Sequence, residues 1–200
     1  VIFQPELRKF FENLGNRLFI FPIITGQKDQ NLDSAKEVFK SIENLAKKRI
    51  GGLLVIENNT SLNEYIETGL PIKALITSEL ITSLFWTGCP THDGALIIRN
   101  NTIEAASCLL PLTEKSLKDR NIGTRHRAGL GLSEMTDASI FIISEETGRV
   151  SIAHEGNISR NVSRELVNQK LQSIFQVKVD QDQRYWDKWI KKFKFRKDNE

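Results

Sequence analysis

Three short segments carry side chains suited to phosphate chemistry. The first is Thr91-His92-Asp93-Gly94-Ala95. An imidazole beside a carboxylate can share a divalent cation, and the carboxylate can also take a proton from a hydroxyl. Gly94 leaves room for a ligand against the backbone. The second is Gly123-Thr124-Arg125-His126-Arg127. Its two guanidinium forks match phosphate oxygens, and a helix starting here would add open N–H groups and the positive end of its dipole. The third is Ser144-Glu145-Glu146, directly after the apolar run Ile140–Ile143. Strand ends of this kind often open into ligand sites, and the two carboxylates suit a metal ion or a ribose hydroxyl. Each segment has a plainer reading: a turn in which Asp93 bonds its own backbone, a solvated basic turn, and an acidic hairpin turn.

These segments need a frame to bring them together. Ala35, Val38, Phe39, Ile42, Leu45 and Ala46 fall on one face of a helix that Asp33 or Ser34 would cap. Lys47, Lys48 and Arg49 suit its C-terminal end, and Gly51-Gly52 would stop it. Leu53–Ile56, Ala95–Ile98 and Ile140–Ile143 read as buried strands. Further strands are expected within Gly69–Thr77, over Thr102–Cys108 after an Asn100-Asn101 turn, and over Arg149–Ala153. Helices are expected over Ser78–Trp86, capped by Ser78, over Arg125–Ala138 and over Val162–Phe175. A short amphipathic helix follows Pro5, and the polar stretch Gln27–Asn31 reads as a linker. The mixture predicts an α/β fold: one globular domain with a central mixed sheet flanked by helices. The expected divisions are an N-terminal helix and linker over 1–30, a catalytic domain over 31–178 and a tail over 179–200.

The chain has 200 residues, 40% of them hydrophobic and 26% charged, which excludes wholesale disorder. The net charge of +3 looks at first like a hint of nucleic acid. It belongs to residues 181–200, which hold seven basic and four acidic side chains, leaving 21 of each sign before them. Nucleic acid is therefore not an expected partner. In that tail Tyr185, Trp186, Trp189, Ile190 and Phe193 share a helical face among lysines, suited to an anionic membrane surface, a partner or the core itself. Cys89 and Cys108 are not in C-x-x-C spacing and read as buried free thiols of a reduced, intracellular protein. The chain contains no apolar run of the roughly 20 residues that a bilayer requires. The first residue is Val1, so a fragment of a longer membrane protein is one expectation. The phosphate-loop signature G-x-x-x-x-G-K-[ST] is absent, and Gly129-Leu130-Gly131 lacks the third glycine of a dinucleotide fingerprint. With only His154 to add to His92 and Asp93, a metal phosphohydrolase set is also incomplete.

Taken in order, His92-Asp93-Gly94-Ala95, Gly123-Thr124-Arg125-His126-Arg127-Ala128 and Ser144-Glu145-Glu146-Thr147-Gly148 resemble the D-G-A and R-H-R motifs of the diadenylate cyclase domain family, over about Ile50–Phe175. Gly131–Glu134 through Thr136-Asp137-Ala138 is similar to the helix that follows R-H-R, and Phe3–Arg8 is similar to the membrane-anchored branch. Gly129 departs from the alanine common at that place. The resemblance implies condensation of two ATP into cyclic di-AMP and two pyrophosphates, each 3′-hydroxyl attacking the other nucleotide's α-phosphate across a face-to-face homodimer. It implies a divalent metal (Mn²⁺, Mg²⁺ or Co²⁺) held by His92, Asp93 and Glu146. It implies catalytic roles for Asp93, Arg125, His126 and Arg127, with His126 alternatively orienting the arginines. Nucleotide contacts are implied for Gly94, Ala95, Leu110, Gly123, Thr124, Arg125, Arg127, Ser144 and Glu146. A full-length parent would sit at the cytoplasmic face of the cell membrane, with this fragment soluble. A catalytically silent ATP or cyclic-dinucleotide sensor is the alternative.

Overall fold

In the computed structural model, which describes residues 23–115 and 123–176, seven strands form one mixed sheet. The elements are α1 (Ile23–Lys48), β1 (Gly52–Ile56), α2 (Asn63–Ile66), β2 (Leu70–Leu75), α3 (Ser78–Leu84), β3 (Ala95–Arg99), β4 (Thr102–Cys108), α4 (Thr124–Met135), β5 (Ser139–Ile143), β6 (Val150–His154) and β7 (Asn157–Ser159). A last helix, α5, covers residues 164–176. The strand order is β2-β4-β3-β1-β5-β6-β7. Only β1 and β3 pair in parallel, and the other pairs are antiparallel. Ser34–Phe175 forms one compact unit.

The strand period of two distributes the apolar runs over both faces of the sheet. On one face Leu54, Ile56, Leu96, Ile98, Phe141 and Ile143 pack with Val38, Ile42 and Leu45 of α1 and Leu171 and Phe175 of α5. On the other, Leu53, Val55, Ile97, Ile140 and Ile142 pack with Ala128 and Leu132 of α4. Burial on both faces is why β1, β3 and β5 read as continuous apolar runs. The expected α/β domain with a mixed sheet and flanking helices is the one formed.

Several local expectations change. Helix α1 runs through Gln27–Asn31, so this stretch is not a linker, and Asp33 and Ser34 lie inside the helix rather than at its cap. Gln and Lys are good helix formers, and the stretch holds no glycine or proline to break it. The helix also ends before its glycines: Arg49 turns left-handed at φ 53°, with Ile50 N–H donating to Leu45 O at 2.9 Å. Helix α3 is capped by Thr77, whose hydroxyl accepts from Leu80 N–H, and not by Ser78. Helix α4 stops at Met135, because Thr136 is extended. The Asn100-Asn101 turn forms as expected, both residues at positive φ (46° and 61°). Short α2 and β7 carry no periodic signal. Cys108 is buried as expected, and burial pushes its thiol up to about 11, while Cys89 is only half-buried. The helix expected after Pro5 and the basic-aromatic tail lie outside the described residues.

Candidate active site

Strand direction brings the three segments to one margin of the sheet. Strands β1 and β3 begin there, antiparallel β4 and β5 end there, and α4 starts beside them. The result is a cleft of about 800 Å³ lined by His92, Asp93 and Gly94, by Gly123, Thr124, Arg125 and His126, and by Ser144, Glu145 and Glu146. Leu53, Leu109, Leu110 and Leu112 add an apolar wall.

A β-bulge fixes the first segment. The β3–β4 register shifts between Ala95 and Ile97, and Ser107 sits at φ 59°. Its hydroxyl donates to the Asp93 carbonyl at 2.5 Å. Gly94 is at φ 101°, and a Cβ there would lie 2.6 Å from the Ser107 carbonyl carbon. Glycine is thus required for docking onto β4, and Gly94 still lines the cleft. Asp93 itself is exposed on the cleft. The His92 ring is held by Nδ1, 2.6 Å from the Cys89 carbonyl. A carbonyl only accepts, so in the neutral ring Nδ1 carries the proton and Nε2 keeps its lone pair.

The second segment opens α4. Gly123 is the N-cap at ordinary dihedrals, with no described residue within 4 Å of where a Cβ would stand and no side-chain cap. The Gly123 carbonyl accepts from His126 and Arg127 N–H, so the helix starts tightly, and the N–H groups of Thr124 and Arg125 have no acceptor among the described residues and suit an anion. Arg125 Nη1 donates to Glu145 Oε2 at 2.7 Å, while Nε is buried with no acceptor among the described residues. His126 turns its ring toward β6, where Nε2 lies 3.2 Å from the Ser151 hydroxyl. Burial, and then the charge of Arg160, lower its pKa from the ordinary imidazole value and so favour the neutral ring.

The third segment follows β5. Ser144 Oγ accepts from Thr147 N–H at 3.3 Å, which leaves its own O–H proton for another acceptor. Glu146 is exposed and lines the cleft.

Two expected residues are not brought into the cleft. Ala95 is fully buried in the core beneath it, and Arg127 is exposed outside its walls. His154 also lies apart, near the Ala138 carbonyl. Other residues went unnoticed in the sequence. Ser107 anchors the first segment, and Gly51, read as a helix stop, lies directly beneath Arg125 and Glu145. Neither gives a signal in sequence, because each matters through a contact with a distant segment.

Residues 39–158 match the family model described as "DAC: DisA bacterial checkpoint controller nucleotide-binding". The chain belongs to this family. Among family relatives, it is 43% identical over 175 residues to the cyclic di-AMP synthase CdaA of Bacillus subtilis (strain 168), covering 88% of this chain and 64% of the relative. It is 40% identical over 165 residues to the diadenylate cyclase of Listeria monocytogenes serotype 1/2a (strain 10403S), covering 82% and 60%. The chain thus spans less than two thirds of the length of these curated relatives. The structure resembles that of a Staphylococcus aureus DacA double mutant with a TM-score of 0.70 at 40% identity, covering 72% of this chain and 95% of that one. It also resembles a hypothetical membrane-spanning protein from Bacillus cereus, with a TM-score of 0.62 at 42% identity over 65% and 64% of the two chains. No helix among the described residues is long and apolar enough to cross a membrane.

Proposed function

We propose that this chain is a diadenylate cyclase, joining two ATP into cyclic di-AMP with release of two pyrophosphates. One observation carries the reading: in a member of this family, the three segments converge on a single cleft with the residue types that adenylyl transfer needs. In each half-reaction a 3′-oxygen bonds to an α-phosphorus as the α–β bridging P–O bond breaks. The hydroxyl proton passes to Asp93, whose exposed carboxylate is the open base of the cleft. Arg125, Thr124 and the open N–H groups of α4 hold the phosphates and stabilise charge moving onto pyrophosphate. Ser144 has a hydroxyl proton to give to a phosphate or ribose oxygen. Leu53, Leu110 and Leu112 wall the adenine side. We assign His126 a positioning role through Ser151 and place Arg127 at the rim, facing a second copy.

A divalent cation fits these residues. Among the described residues the cleft sets one guanidinium against the three carboxylates of Asp93, Glu145 and Glu146, so a triphosphate meets more negative than positive charge on those walls. His92 Nε2, Asp93 and Glu146 would hold the ion together with substrate oxygens. No cluster of three protein ligands stands ready among the described residues, as is usual for phosphate-bound Mg²⁺. When bound, such an ion neutralises phosphate charge and polarises phosphoryl oxygen.

One cleft holding one nucleotide supplies one 3′-hydroxyl. Closing a ring of two nucleotides therefore calls for a second copy of the chain facing the first. Leu109 and Leu112, 69% and 45% exposed at the cleft, offer that copy an apolar rim. Attachment of a longer parent to a membrane is supported by the likeness to a protein described as membrane-spanning, and a reaction that consumes ATP would put this domain on the cytoplasmic face. Incubation with ATP and Mn²⁺, with products separated by chromatography, tests the activity. Cyclic di-AMP and pyrophosphate are expected, whereas ATP bound but unchanged would make the chain a sensor.

A further inference from the structure

We propose that Gly51 and Glu145 together form the seat of Arg125, with Gly51 as a positioning residue for the reaction. The inference rests on the cyclase reading of the cleft. A Cβ on Gly51 would stand 2.6 Å from Arg125 Nη1, 2.8 Å from its Cζ and 2.7 Å from Glu145 Oε2. The guanidinium and the carboxylate therefore lie flat on bare backbone where β1 begins. Positive φ does not require glycine at residue 51, so what lies above it is the reason for its missing side chain. Arg125 is 23% exposed and Glu145 62%, so packing on Gly51 fixes the pair more firmly than Coulomb attraction does. Nε, buried and without a described acceptor, adds no bond of its own.

The two ends of this seat differ in kind. The groups that a methyl at residue 51 would strike are the tips of two flexible side chains, not backbone. Gly51→Ala therefore leaves the fold intact and moves the guanidinium. An error of about 1 Å in a phosphate-holding group is worth about 100-fold in rate.

The test compares wild type, Gly51→Ala, Glu145→Ala, Glu145→Gln and the double variant Gly51→Ala/Glu145→Ala. Thermal melting, kcat and KM for cyclic di-AMP synthesis, and Mn²⁺–ATP affinity by calorimetry are measured for each. Expected are an unchanged Tm and an about 100-fold loss of kcat/KM for Gly51→Ala. Glu145→Gln, which keeps an acceptor oxygen for Nη1, stays more active than Glu145→Ala. The double variant recovers activity relative to Gly51→Ala, because removing the carboxylate gives the guanidinium room to settle. Wild-type kcat/KM in Gly51→Ala, or a double variant whose loss is the product of the single losses to within about twofold, overturns the seat. If Gly51→Ala melts early, the order of Glu145→Gln and Glu145→Ala decides, and equal activities overturn it. A wild type that makes no cyclic di-AMP refutes the cyclase reading instead. The seat is then judged by Mn²⁺–ATP affinity, which must fall in Gly51→Ala and recover in the double variant.

Discussion

Gly94 is held to glycine by its φ of 101° and by the β4 backbone at Ser107, and Gly51 by the side chains lying on it. In both cases the residue lacks a side chain because another segment takes its space, and a sequence does not name that segment. The charged residues are easier to read, since a carboxylate or guanidinium in a short polar run announces its chemistry wherever it lands. Sequence reasoning therefore reached His92, Asp93, Thr124, Arg125 and Glu146, but chose Ala95, which the β3 pleat turns into the core. Asp137 is a similar case outside the cleft. Its carboxylate accepts from Asn59 N–H and Nδ2 at 3.0 Å and from Thr60 N–H at 2.9 Å, closing the loop after β1. Burial raises its pKa, but the bonds from Thr60 and Asn59 outweigh burial and hold it at about 2. The folded value lies below the ordinary 3.8, so the stabilisation is complete above pH 3.8 and is lost as pH falls toward 2. Melting of wild type and Asp137→Asn across that range is expected to show a Tm gap that is constant at neutral pH and closes in acid. A gap independent of pH would show that the carboxylate charge is not what closes the loop.

At the scale of elements, α4 does two jobs, and its glycines belong to the less visible one. Its first turn faces the cleft, while its body must lie close to the sheet. A Cβ on Gly129 would meet Ile142 Cδ1 at 2.8 Å, and one on Gly131 would strike the Pro111 carbonyl and stand 2.7 Å from Thr113 N. The Gly-x-Gly pair serves packing, not a dinucleotide. The obstacle differs between the two: a flexible side-chain tip at Gly129, backbone at Gly131. Gly131→Ala is accordingly expected to cost about 1–3 kcal/mol by overpacking, despite alanine's better helix propensity. Gly129→Ala is expected to cost less, since Ile142 can turn aside. Urea titration of both variants checks that order, and an equally stable Gly131→Ala would mean the 111–113 strap yields. The strands were legible because both sheet faces are covered, which writes burial into the sequence as unbroken apolar runs. The true start of α1 was not, because good helix formers without an apolar stripe look like a linker. Elements of three or four residues, such as β7 and α2, are too short to show a period at all.

For the whole molecule, charge and assembly matter more than any single contact. The first 180 residues balance their charges, so the attraction for ATP that the proposed function requires must come from Arg125, the start of α4 and a bound cation rather than from total charge. The proposed joining of nucleotides from two copies has a further consequence: specific activity should rise with protein concentration until dimers saturate. Dilution assays at fixed ATP and Mn²⁺ would show this, and activity strictly proportional to protein down to dilute conditions would argue for one chain acting alone. The cleft at the sheet margin is proposed to perform the transfer, with Asp93 as its base. Asp93→Asn tests it most directly, since the amide keeps size and hydrogen bonding but cannot take the proton. Cyclic di-AMP formation and ATP affinity should be measured side by side for this variant and wild type. The expected result is ATP affinity in the absence of Mn²⁺ near that of wild type, with turnover in its presence lowered by about 10²–10⁴-fold. Normal turnover by Asp93→Asn would contradict the account.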